Sequence, residues 1–113
     1  MTGLAAPVRE AIVGVLSLRP EVAEARLFGS RAKGTAKPES DIDIALFGEL
    51  DEFAAESVAS DLEELPLPYR FDVKAYGRIR SKELKEHIDR VGVTIYRKGA
   101  EWVAEKGANR FGG

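Results

Sequence analysis

The run Asp41-Ile42-Asp43-Ile44-Ala45-Leu46-Phe47 constrains the fold of this chain more than any other segment. Its residues alternate, as in a strand with one buried face: Ile42, Ile44 and Leu46 fall on one side, Asp41, Asp43 and Ala45 on the other. Aspartate is disfavoured in strands, and here two occupy alternate positions. Their spacing puts two carboxylates about 6.6–7 Å apart along one face, near enough to serve a common metal cluster.

Other segments supply a scaffold for that strand. Residues 7–19 carry Val8, Ile12 and Val15/Leu16 at helical spacing, with Pro7 suited to a first turn and Pro20 as a stop. Ala25–Phe28 reads as a strand ending at Gly29-Ser30, where glycine permits a sharp turn, and Arg31–Ser40 as a helical turn and loop. After the acidic strand, Leu50, Phe53, Ala54, Val58, Leu62 and Leu65 predict a helix closed by Pro66 and Pro68. Tyr69–Tyr76 alternates again, with Asp72, Lys74 and Tyr76 on one face. Ser81 is placed to cap a third helix with Leu84, Ile88 and Val91 on its apolar stripe, and Gly92 to end it in the left-handed conformation. Val93–Tyr96 makes a last strand. This order predicts an α/β or α+β fold, a small mixed β-sheet with helices packed on it. Residues 1–97 form the domain, and residues 98–113, with Trp102, Val103 and Phe111, a tail that binds a partner or is partly disordered.

Composition narrows the chemistry. A length of 113 residues suits one core, which needs no disulfide at this size. The absence of cysteine removes thiolate catalysis and Cys-ligated zinc, and the single histidine, His87, leaves no histidine-pair metal site. Any metal is then held by carboxylate oxygen, which favours magnesium, with manganese as the alternative. A net charge of −2 argues against electrostatic coating of nucleic acid, so no direct nucleic-acid binding is expected. The N-terminal segment has no basic leader, and its apolar stretch is too short for a membrane span. The expected location is cytoplasmic, with no membrane association.

The informative constellation is Gly29-Ser30, ten residues, then Asp41-Ile42-Asp43. Four fixed residues, each at roughly 5–7% usage, give on the order of one chance match per 10⁵ positions, so coincidence explains it poorly. Transfer of a nucleotidyl group requires neutralisation of the α-phosphate charge and in-line attacking and leaving oxygens. Asp41 and Asp43 suit the metals. Asp72, on another strand, completes the set if the strands are neighbours, and would take the proton of the acceptor hydroxyl. Ser30 and the amides after Gly29 suit the outer phosphates of a nucleoside triphosphate, and Arg31 their charge. A solvated strand face is the competing reading of Asp72, and surface solubility that of Arg31, Lys33 and Lys37.

The pattern resembles the nucleotidyltransferase fold of the DNA polymerase β superfamily, whose signature is Gly-Ser, a spaced Asp-x-Asp and a third Asp on a later strand. Within it, LFGSRAKGTAKPESDIDIAL, YRFDVKAY and KELKEHIDRVGVTIY look like the minimal nucleotidyltransferases, commonly the antitoxin partners of HEPN-domain toxins. The resemblance spans roughly residues 8–97. It implies Gly29 and Ser30 as the triphosphate-binding pair and Asp41, Asp43 and Asp72 as catalytic metal ligands. It also implies ATP as substrate, AMP transfer to a tyrosine of a HEPN toxin, and hence that toxin as partner. The alternative is an antitoxin that acts mainly by masking its partner, with little catalysis; a homo-oligomer is compatible with either. His87, at the edge of a helical stripe, reads as structural. Tyr69, Tyr76 and Tyr96 either stack on a base or pack in the core.

Overall fold

The computed structural model describes residues 4–37 and 39–99. The tail beyond residue 99, with Trp102, Val103 and Phe111, lies outside the described residues. Four strands form one mixed sheet: β1 (Val22–Phe28), β2 (Ile42–Gly48), β3 (Phe71–Ala75) and β4 (Val93–Arg97), in the order β3-β2-β1-β4. β1 is antiparallel to both β2 and β4, and β2 is parallel to β3. A parallel pair needs a crossover, and α3 (Glu52–Glu63) provides it. The other helices are α1 (Ala6–Leu16), the short α2 (Gly29–Lys33) and α4 (Lys82–Val91). None is long and apolar enough to cross a membrane.

Helix boundaries follow local chemistry. Pro7 occupies the first turn of α1, where no amide donor is required. Asp51 Oδ1 accepts the Ala54 amide at 2.9 Å, and Ser81 Oγ the Leu84 amide at 3.1 Å, so α3 and α4 both begin on a side-chain cap.

The sheet is covered on both faces. Under β2, Ile42, Ile44 and Leu46 are fully buried with Ile12 and Leu16 of α1 and Val58 and Leu62 of α3. On the opposite face, Phe28, Ala45 and Ile88 make a smaller cluster, and α4 lies over it. The strand is therefore buried from Ile44 to Leu46 and half-buried at Asp43 and Phe47.

Three expectations are corrected. Phe53 is 81% exposed, because the Asp51 cap sets a helical phase in which Ala55, Val58 and Leu62 face the sheet. Gly92 is extended, with φ −63° and ψ 140°, because the chain passes directly from α4 into β4. Glycine is still required there: a Cβ would collide with the Ile88 carbonyl. β1 begins at Val22 rather than at residue 25; Val22 is fully buried, and a register shift follows between it and Glu24.

Candidate active site

β1 ends at Phe28, and the chain turns at Gly29 with φ 73°, a left-handed value that side chains resist. Phe28 lies opposite Asp43 across the antiparallel pair, and Asp43 opposite Asp72 across the parallel pair. Directly opposed residues share a face, with neighbouring strands about 4.7–4.9 Å apart, so the last residue before the phosphate-turn candidate and two carboxylates form one row. Asp41, one residue before β2, is exposed; strand alternation places it on the face of Asp43. The condition for Asp72, that its strand neighbour β2, is met.

Gly29 is tied to this row twice. A Cβ there would collide with Asp43 Oδ2 and stand 3.2 Å from its Cγ, so only glycine lets the turn approach the carboxylate. Its amide donates to His87 Nε2 at 3.2 Å, and the His87 ring meets Phe28 edge-on, with centroids 6.1 Å apart. Nε2 can accept only in the neutral ring, with the proton on Nδ1. His87 thus joins α4 to the turn, a role its place on the helical stripe did not reveal, because the contact spans 58 positions of sequence.

Burial, then the charge of Asp72 and then that of Asp41, push the Asp43 carboxyl up to about 6 from 3.8; Lys74 and Arg31 act in the opposite sense. The carboxylates therefore share a negative potential that the protein compensates only in part, as a cation site requires. Among the described residues no three acidic or histidine side chains are gathered into a ready cage. Asp72 Oδ1 lies 3.5 Å from Lys74 Nζ. The donor set is all oxygen, which fits a hard divalent cation held by Asp41, Asp43 and Asp72.

Arg31 is only 7% exposed. Its Nη2 donates to the Ser40 carbonyl at 2.7 Å and its Nε to the Asp41 carbonyl at 3.3 Å, while its guanidinium lies 4.9 Å from the centre of the Tyr69 ring. In this position it fixes the backbone leading into the Asp-x-Asp strand. Ser30, the next residue of α2, is half-buried beside the Gly29 turn. Tyr76 stacks on Phe47 with ring centroids 4.4 Å apart, and Tyr96 is in the core.

This geometry matches known proteins. The family described as "Polymerase beta, Nucleotidyltransferase" matches residues 10–101. The chain is 38% identical over 73 residues to the "Probable protein adenylyltransferase MntA" of Haemophilus influenzae, spanning 63% of each chain. A crystal structure of a toxin–antitoxin with AMP-PNP superposes with a TM-score of 0.68 at 26% identity, over 80% of this chain and 74% of that one. The tri-AMPylated Shewanella oneidensis HEPN toxin in complex with its MNT antitoxin contains a chain of the same fold. There the TM-score is 0.62 at 22% identity, over 81% of this chain and 71% of that one.

Proposed function

Because the chain belongs to the polymerase beta nucleotidyltransferase family, we propose that it transfers a nucleoside monophosphate, AMP from ATP, to a hydroxyl of a partner protein, a tyrosine of a HEPN toxin, and so neutralises that toxin. The observation that carries this reading is the close approach of the Gly29 turn to Asp43, which lies directly opposite Asp72, with Asp41 on the same face.

Asp41, Asp43 and Asp72 hold magnesium, or manganese in its place. Bound there, the cation supplies charge neutralisation of the triphosphate. Ser30 and the start of α2 receive the outer phosphates, on a turn that Gly29 brings against Asp43. Arg31 holds the carbonyls of Ser40 and Asp41 and so fixes the entry to the acidic strand. Asp72 takes the proton of the acceptor hydroxyl. The acceptor oxygen then bonds to the α-phosphorus as the bond to the β-phosphate oxygen breaks, and pyrophosphate leaves. Transfer to protein is supported by the similarity to the probable protein adenylyltransferase of Haemophilus influenzae, and a toxin partner and an adenine nucleotide by that to the 26% identical toxin–antitoxin with AMP-PNP.

The structural likeness to toxin–antitoxin assemblies also favours a second reading, an antitoxin that works mainly by masking its partner. One experiment separates the two. The protein and its Asp41→Asn/Asp43→Asn variant are incubated with each α-labelled nucleoside triphosphate, magnesium and a HEPN-domain partner. Label from ATP on the partner with the wild type alone supports transfer. A stable, unlabelled complex with every nucleotide would leave masking alone.

A further inference from the structure

The described sheet ends at β3, whose outer edge carries no strand. Its pairing fixes which backbone groups face out. The Ile42 amide donates to the Arg70 carbonyl at 2.9 Å, so in this parallel register residues 70, 72 and 74 point their backbone groups at β2. Phe71, Val73 and Ala75 point theirs away. The Phe71 amide is closed off by Glu63 Oε2 at 2.9 Å. Beyond it, the edge at Val73 and Ala75 opens into a groove of about 340 Å³ between α3 and the start of α4.

We propose that this edge receives the acceptor protein as an extended, acidic segment that pairs beside β3 and presents its hydroxyl side chain to Asp72. The proposal rests on the transferase reading and names the form in which its acceptor binds. Three features support it. The groove lies at the open edge between both helical layers, with Ala55 and Glu56 of α3 on one side and Ser81 and Leu84 at the start of α4 on the other, where a segment that adds to the edge would lie. It ends beside the carboxylates, since Lys74 lines it, follows Asp72 by two residues on the same strand face, and holds its ammonium 3.5 Å from Asp72. Its lining is net cationic, with Lys74, Arg78 and Arg80 against Glu52 and Glu56; Lys74 pairs with Asp72 and Arg78 approaches Glu52 at 3.9 Å, which leaves Arg80 with no acid of the groove in an ion pair. In an added strand, the residue opposite Asp72 has its side chain on the face of Asp43 and Asp72, and acids further along meet the cations. Pairing register then selects which hydroxyl is modified.

The test uses two short peptides with one central tyrosine, flanked in one by aspartate and glutamate and in the other by lysine. Each is incubated with the protein, magnesium and α-labelled ATP, and amide shifts are followed by NMR. The acidic peptide should be labelled with a kcat/KM at least about tenfold higher and should shift the Val73 and Ala75 amides. Val73→Pro removes an outward amide without touching the β2 ladder, a substitution edge strands accept. It should lower acceptor kcat/KM about tenfold and leave Mg·ATP affinity within about twofold. Arg78→Glu/Arg80→Glu, which leaves the strand untouched, should reverse the peptide preference. Equal labelling of both peptides, unchanged acceptor kinetics in both variants, or shifts confined to another surface would overturn the proposal. So would a wild-type dimer in sedimentation that Val73→Pro makes monomeric, since the edge would then be taken by a second copy. If the acidic peptide binds at β3 but neither peptide is labelled, the transferase reading fails and the docking edge stands. If neither binds, the docking edge fails.

Discussion

The two faces of β2 come from one alternating run, yet they meet different environments. On one face Ile42, Ile44 and Leu46 are sealed beneath α1 and α3. On the other, α4 covers Phe28 and Ala45 and touches the Gly29 turn through His87, while Asp43 is half-buried and Asp41 exposed. Full cover makes a core. Partial cover makes a site, because a carboxylate at the margin is desolvated enough to be perturbed and open enough to meet a ligand.

The largest effect should come from the sealed face. Ile44→Ala removes a fully buried side chain and should destabilise the protein by about 2–5 kcal/mol in urea unfolding. A loss below about 1 kcal/mol would mean that this face is not the main core. Gly29→Ala tests the contact between turn and carboxylate. A side chain at φ 73° that also strikes Asp43 should cost about 1–3 kcal/mol of stability. It should also reduce transfer on the order of 100-fold, since displacement of a positioned group is costly. Full transfer by this variant would show that the close approach is unnecessary.

The open face carries a destabilising charge. The folded pKa of Asp43, about 6, stands above the 3.8 of the unfolded chain, so the penalty begins as pH rises past the lower value and is complete above the upper one. Asp43→Asn should therefore stabilise the metal-free protein by about 1 kcal/mol at pH 7, after allowance for solvent screening, and by nothing at pH 3.5. Thermal melts at the two pH values check the sign, and a stability loss at pH 7 would refute it. The smallest effect concerns His87. Its alanine variant should raise the KM for ATP about 2–10-fold through loss of the Gly29 bond, with kcat less affected, and His87→Gln should recover part of it, since its amide oxygen can accept.

Much of this contrast was legible in the sequence because it is local. Alternation gave the two faces of β2 and of β3, Ser81 marked its helix start, and the Gly-Ser to Asp-x-Asp spacing pointed to the residues that the fold brings to one strand end. What could not be read depends on distant partners. The exposure of Phe53 follows from the phase of α3, and the extended Gly92 from the immediate entry into β4. The contacts of Arg31 with Ser40, Asp41 and Tyr69 could not be read from the sequence either, because they depend on the loop that returns to β2. That Asp72 meets Asp43 was conditional on their strands being neighbours, and only the strand order establishes that β3 lies beside β2.

The central claim is that the open acidic end of this face is a divalent-cation and triphosphate site. Titration of Mn²⁺ with ATP, followed by the EPR signal of free Mn²⁺, tests it most directly in the wild type and in Asp43→Asn. Binding should be saturable in the wild type and at least about tenfold weaker in the variant, at unchanged or higher melting temperature. Equal affinity in the two proteins would contradict it, because the cation would then be held somewhere other than this row of carboxylates.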